Sequence, residues 1–394
     1  MDSSKIKHYD YIFTGMGLST LMTVYKMVLS AKFTDKSILL LDENLKKTND
    51  RTWCFWAKEE TIWNSVISKK WDSALFANEK FKRDLALKPY EYNQIRGLDF
   101  YNFVFEELSK YDNIAFLKEK VTDINELETH VFIGTEENRY TCNYLFNSIY
   151  TKSFAESQTK YPVLQQHFIG WFVKSENEIF NPEQAIFMDF SVEQKGNTRF
   201  MYVLPTSKTE ALLEYTLFSE KLLEKEEYEK EIRLYLENLG VEQFEIKEKE
   251  QGSIPMTCYP FWKKNTKRVL NIGTAGGWTK ASTGYTFRNS DKKSSELVEF
   301  LQNENPFHAT SGLPNMTTFY KKNRFWFYDL LLLDILYRHN ELGSTIFSSL
   351  FRKGNPALIF KFLDEETSLI EDLQVISKCP KVPFIKALFR VLFR

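Results

Sequence analysis

Two glycines one residue apart, Gly15 and Gly17, stand where a β-prone run gives way to a helix-prone one, and this junction constrains the fold most. Tyr11 to Phe13 reads as the strand and Leu18 to Ser30 as the helix. Gly15 lets the chain turn sharply, and Gly17 lets a pyrophosphate approach the backbone. The helix that opens at Leu18 offers N–H groups and a positive dipole end to phosphates. A second β-prone run, Ser37 to Leu41, ends in Asp42-Glu43. Asp42, roughly 20 residues beyond the glycines, is placed to accept hydrogen bonds from ribose hydroxyls. Thr20 occupies the position of the third glycine in such a fingerprint. Strand, turn, helix and acid point to a dinucleotide site in an α/β domain, whereas a lone Gly-x-Gly fits an ordinary loop.

The rest of the chain bounds this reading. Its 394 residues suffice for two to three domains. The net charge of −1 gives no reason to expect nucleic-acid binding. The four cysteines, Cys54, Cys142, Cys258 and Cys379, are far apart, so neither a disulfide framework nor a zinc site is expected and a reducing compartment fits. The five histidines are equally scattered, and no metal is expected. No signal-like apolar stretch precedes the first strand, and no apolar run is long enough to span a bilayer. Aromatic residues make up 16%, which suits either a Phe-rich core or a surface for a large apolar ligand or membrane.

The order of elements suggests a discontinuous Rossmann-like domain with an antiparallel-sheet substrate domain and a helical C-terminal region. Residues 8–85 read as the first cofactor-binding segment, in which Arg51 could approach a phosphate. Residues 86–165 are mixed and return to the cofactor sheet, with a helix near Gly97 to Lys110 and strands near 114–117, 131–133 and 140–149. Residues 166–260 are strand-rich and read as one antiparallel sheet, with a charged helix over 220–239 after its first strands. Residues 261–300 hold a second glycine-rich strand-to-helix passage, Gly273-Thr-Ala-Gly-Gly-Trp-Thr-Lys-Ala-Ser-Thr-Gly-Tyr285. It either wraps another part of the same cofactor or is a structural loop. Residues 301–394 read as helical. In the tail, Lys386, Arg390 and Arg394 recur every four residues among Phe384, Ile385, Leu388, Phe389, Leu392 and Phe393. That pattern suits an interfacial membrane helix and equally a helix packed on its own protein.

Four stretches give the chain a family likeness. They are Thr14-Gly-Met-Gly-Leu-Ser19, Asp50-Arg-Thr-Trp53, Tyr202-Val-Leu-Pro-Thr-Ser-Lys-Thr-Glu-Ala-Leu-Leu-Glu-Tyr-Thr216 and the Gly273 to Tyr285 passage. With Gly252-Ser-Ile-Pro-Met256, their order and spacing resemble the lycopene cyclase family of carotenoid biosynthesis, in its bacterial β-cyclase branch. The resemblance implies an FAD-binding α/β fold and acid-catalysed closure of the open ψ-ends of lycopene, giving γ-carotene and β-carotene. It implies a redox-neutral isomerisation that still needs reduced FAD, with NAD(P)H as reductant. It assigns cofactor contacts to Gly15, Gly17, Leu18, Asp42, Arg51, Thr52, Gly273, Thr274, Ala275, Gly276, Gly284 and Tyr285. Three positions depart from the family pattern: Arg51 replaces a His, Lys280-Ala281 replaces His-Pro, and Tyr215 stands where an acid often follows the strand glutamate.

Protonating a carbon–carbon double bond needs an acid kept neutral near pH 7, which burial among apolar groups provides. Glu214 lies between Leu213 and Tyr215, and strand alternation puts Leu212, Glu214 and Thr216 on one face. If that face lines the substrate tunnel, Glu214 is the proton donor; a carboxylate paired at a sheet edge is the alternative. Lycopene resides in the bilayer, so docking from the cytoplasm at the inner membrane face is expected. A flavin-dependent hydroxylase or reductase of an isoprenoid, or a non-catalytic carotenoid- and flavin-binding protein, are the competing readings. Ring type and oligomeric state are not readable from the sequence.

Overall fold

The computed structural model describes residues 6–303, 314–320 and 322–393. Arg394, the last of the three tail cations, falls outside them. Three sheets and ten α-helices account for most of the described chain.

The first sheet is drawn from distant parts of the sequence. It contains β1 (Lys7–Thr14), β2 (Ile38–Asp42), β8 (Ile114–Lys118), β9 (Val121–Glu126), β10 (Val131–Thr135), β11 (Arg139–Asn147) and β17 (Val269–Asn271). The order is β8-β2-β1-β11-β10-β9, and β17 pairs with the far half of β11. The β8, β2, β1, β11 and β17 ladder is parallel throughout. Such strands are covered on both faces and read as continuous apolar runs, as Ile38–Leu41 does. Tyr11, Phe13 and Leu40 pack on one side, while Ile12, Leu39 and Leu41 pack on the other. The helices α1 (Leu18–Leu29), α2 (Gly97–Leu108) and α5 (Phe287–Asn303) supply buried residues to the first side. Small hydroxyl side chains let α1 and α5 approach: Ser19 Oγ meets Ser290 Oγ at 2.9 Å, and Thr23 Oγ1 meets Ser294 Oγ at 3.0 Å.

The second sheet has the order β16-β12-β15-β14-β13-β5-β6. Its strands are β5 (Ser73–Asn78), β6 (Phe81–Ala86), β12 (Val163–Ser175), β13 (Gln184–Phe190), β14 (Thr198–Pro205), β15 (Glu210–Ser219) and β16 (Phe244–Thr257). All neighbours are antiparallel except β13 and β5, which run parallel. Residues 73–86 therefore correct the segmentation by sequence, which left them within the first cofactor segment. Their pairing with β13 spans more than a hundred residues and leaves no local signature. A three-stranded sheet, β3 (Thr52–Ala57), β7 (Glu91–Arg96) and β4 (Ile67–Trp71), completes the β structure.

Strand alternation separates the two faces of the second sheet. Leu213, Tyr215 and Leu217 pack toward α4 (Lys225–Asn238), which buries Tyr228, Ile232, Tyr235 and Leu236 against them. Leu212 and Phe218 face the opposite way, into a cluster shared with the C-terminal helices. Those helices are α6 (Arg324–Arg338), α7 (Gly343–Lys353), α8 (Pro356–Leu363), α9 (Leu369–Ile376) and α10 (Lys381–Leu392); the short α3 (Lys152–Glu156) lies earlier in the chain. The tail helix α10 packs on its own protein along one face. Ala387 is fully buried, and Arg390 pairs with the buried Asp334 of α6 at 2.6 Å, so this cation faces protein. Val382, Ile385, Phe389, Leu392 and Phe393 nonetheless stay exposed, Phe393 at 82%. Leu369, Ile370 and Leu373 of α9 are likewise exposed. No helix among the described residues is long and apolar enough to cross a membrane.

Candidate active site

The glycine passages and the second sheet enclose one cavity of about 510 Å³. Its lining includes Gly17, Leu18, Arg51, Thr52, Thr274 and Gly284. It also includes the apolar side chains Phe187, Phe200, Phe218, Phe347, Phe351 and Ile359. Glu214 and Thr216 line it from β15, as alternation required.

The two glycine passages, more than 250 residues apart in sequence, meet where Gly273 lies against Ser19. Gly15 turns the chain with φ +88°, and a Cβ there would lie 2.3 Å from Ser148 Oγ. Beside Gly17 there is open space, with nothing within 4 Å of a Cβ position. Helix α1 starts directly after it with no side-chain cap and no acidic residue in its first turn. That leaves a helix N-terminus suited to an anion. Gly273 packs against Ser19 of α1, and Gly276 against the Asn271 carbonyl. With buried Ala275, these residues shape the passage rather than line the cavity. Gly284 has φ +73°, and a Cβ there would fall 2.0 Å from Gln166 Oε1. Thr20, in the third-glycine position, is fully buried, and its hydroxyl has no partner among the described residues.

Asp42 stands apart from the cavity lining. Its Oδ2 accepts the Met16 N–H at 2.6 Å and its Oδ1 the Asn44 N–H at 2.8 Å, so the carboxylate braces the glycine turn. Arg51 is exposed at the cavity mouth, where its guanidinium donates to the carbonyls of Asp50 (2.6 Å) and Gln251 (3.3 Å). Lys280 is buried in an ion network with Asp329 (3.1 Å) and Glu365 (2.8 Å), which ties the second glycine passage to the C-terminal helices.

Glu214 is 8% exposed. Burial holds its carboxyl well above the ordinary glutamate range, and the neighbouring Glu250 pushes it further up. Glu250 of β16 was not singled out by sequence, because Lys247-Glu-Lys-Glu250 reads as a solvated edge. Both glutamates sit opposite Gly170 of β12, one on each side. Thr52 Oγ1 donates to Glu250 Oε2 at 2.8 Å. Tyr202 lies directly across from Glu214 on β14, and its hydroxyl is 2.5 Å from that of Tyr92. Cys54 and Tyr285 complete this lining, and burial raises both groups so that they stay neutral. Tyr92 and Cys54 carried no motif that could have marked them, and Tyr202, which opens the stretch ending at Thr216, was not singled out within it.

A family profile described as "Lycopene cyclase protein" matches residues 10–389. The chain belongs to the lycopene cyclase family. None of the curated proteins compared matches it. Among solved structures, a geranylgeranyl bacteriochlorophyll reductase-like protein from Thermoplasma acidophilum is 12% identical, with a TM-score of 0.67 over 98% of this chain and 100% of that one. A flavin-dependent brominase is 12% identical, with a TM-score of 0.56 over 98% of this chain and 99% of that one. An aklavinone-11 hydroxylase solved with FAD and aklavinone is 11% identical, with a TM-score of 0.55 over 76% of this chain and 63% of that one. These likenesses show the fold: a discontinuous Rossmann-like flavoenzyme architecture with a helical C-terminal region. Tyr215, beside Glu214 on β15, points to the α4 face, and its hydroxyl accepts a hydrogen bond from Arg199 at 3.3 Å.

Proposed function

We propose that this lycopene cyclase family member closes the ψ-ends of lycopene, or of a related linear carotene, to β rings by acid catalysis. The observation that carries the reading is Glu214: a buried, proton-holding carboxyl in the lining of a cavity that glycine-passage residues and phenylalanines also line.

The glycine-lined part of the cavity suits FAD. The uncapped start of α1 and the open approach at Gly17 fit its pyrophosphate, with Arg51, Thr52, Thr274 and Gly284 beside it. Reduced, anionic flavin, with NAD(P)H as the reductant, would supply negative charge near a developing cation. The protein's own residues then do the following. Glu214 delivers its proton to the terminal double bond of the polyene, leaving a tertiary carbocation. The faces of Phe187, Phe200 and Tyr285 stabilise positive charge by cation–π attraction. The apolar walls exclude water, so the cation closes on the next double bond instead of being hydrated. Loss of a ring proton restores neutrality, and no electrons are transferred overall.

Supply of so apolar a substrate calls for contact with a membrane surface. The exposed apolar residues of α9 and α10 support docking there. The test is expression in a lycopene-accumulating host with pigment chromatography. A product of unchanged mass and shifted absorption is expected, and Glu214→Gln should abolish it while the protein stays flavin-loaded. An active Gln variant would remove Glu214 as the acid. The fold shared with the reductase-like protein and the hydroxylase keeps a redox flavoenzyme as the rival reading. Anaerobic turnover without stoichiometric NAD(P)H consumption separates the two.

A further inference from the structure

We propose that Glu250 is the positioning residue of the proton donor: across the gap left by Gly170, it forms with Glu214 a carboxyl–carboxylate pair that shares a single proton. The proposal rests on the reading of Glu214 as the acid and adds a partner to it.

Three features of the geometry point the same way. First, Gly170 separates β15 from β16, and it is paired with Glu214 on one side and with Glu250 on the other. A Cβ on Gly170 would lie 2.9 Å from Glu214 Cγ and 3.1 Å from Glu250 Cγ. Any other residue would wedge the two side chains apart, so the glycine makes room for the pair. Second, Glu250 is 6% exposed, and Thr52 donates to its Oε2. Its buried Oε1 has no other donor among the described residues. That oxygen is satisfied when Glu214 carries a proton and donates it, and it is orphaned when both groups are ionised. Third, the other groups around the pair do not replace this partner. Cys54, Tyr92, Tyr202 and Tyr285 are buried and neutral. Arg51 is exposed at the mouth, and Arg96 is taken by Glu248 at 2.6 Å. No cation is bonded to either glutamate among the described residues.

Two carboxyls in this setting cannot both ionise cheaply, and one keeps its proton. The cavity is lined by Glu214 and not by Glu250, so Glu214 is the member that reaches substrate. Glu250 keeps Glu214 protonated between turnovers. When Glu214 gives up its proton, its carboxylate faces the cation formed with the charge of Glu250 behind it, and the proton finally lost from the ring can return to the pair. The unit ends each cycle with the one proton it began with, as an isomerisation requires.

The experiment is an infrared pH titration of the flavin-loaded protein without carotene, comparing wild type with Glu214→Gln, Glu250→Gln and Gly170→Ala. Wild type is expected to show a protonated carboxyl C=O band at neutral pH that Glu214→Gln lacks. Glu250→Gln removes the like charge and supplies an amide donor to ionised Glu214, so its band should titrate away about one pH unit or more lower. Gly170→Ala, which keeps both carboxyls but wedges their side chains apart, should shift it in the same direction. The alkaline limb of cyclisation should move with the band. Absence of the band in wild type, or an unchanged midpoint in both Glu250→Gln and Gly170→Ala, would overturn the proposal. Because the titration needs no substrate, a wild-type protein that fails to cyclise refutes the proposed function and leaves the shared proton readable.

Discussion

Replacing Gly15 by alanine strains the turn that opens the cofactor cradle, and the cost can be worked from its surroundings. An L-residue at φ +88° costs roughly 1–2 kcal/mol. The new Cβ would fall 2.3 Å from Ser148 Oγ, which must swing away. That hydroxyl donates to the carbonyls of Thr14 (2.8 Å) and Gly15 (3.1 Å), and losing the bond costs about 1 kcal/mol more. The total is about 2–3 kcal/mol. For a chain of 394 residues the unfolding entropy is roughly 0.8 kcal/mol/K, so Tm should fall by about 2–4 °C. Ser148→Ala alone forfeits the same hydroxyl bond. The double variant loses it once, so it should be about 1 kcal/mol more stable than the sum of the singles. Thermal unfolding followed by circular dichroism, with flavin absorbance recorded alongside, measures all four proteins. A Gly15→Ala protein as stable as wild type, or strict additivity with Ser148→Ala, would refute the reasoning.

Two further outcomes are expected. Gly17→Val should fold normally, since nothing lies within 4 Å of its Cβ, yet lose its flavin; a yellow, flavin-loaded variant would count against the cradle. Deleting the tail from Phe384 would also remove buried Ala387 and the Arg390–Asp334 pair, so Phe389→Ser with Phe393→Ser is the cleaner perturbation. It should weaken sedimentation with anionic liposomes several-fold without lowering Tm, and unchanged sedimentation would place docking elsewhere.

The parts of the fold visible in the sequence are those with a local cause. Gly15 and Gly17 mark a turn whose neighbours in the chain are also its neighbours in space. The alternation of Leu212, Glu214 and Thr216 assigns a face without any knowledge of the partner strands. What stayed hidden depends on register. Glu250 looks like one member of a solvated charge run, and it is buried only because β16 lies beside a glycine of β12. Asp42 has the spacing of a ribose ligand, and its hold on the Met16 N–H, which braces the glycine turn, had no mark in the sequence. Arg390 has the spacing of a lipid-facing cation, but Asp334, 56 residues away, claims it. Each of these differences comes from a long-range partner that composition and periodicity do not encode.

The scattered origin of the first sheet has a consequence for biosynthesis. Its central parallel ladder joins residues 7–14, 38–42, 114–118, 139–147 and 269–271. A ribosome must therefore release more than two thirds of the polypeptide before the last of these strands can dock, and α5 must follow before α1 has its full partner. Until then the first glycine turn waits as half a cradle, and nascent fragments ending before Asn271 should neither retain flavin nor resist proteolysis as the finished enzyme does.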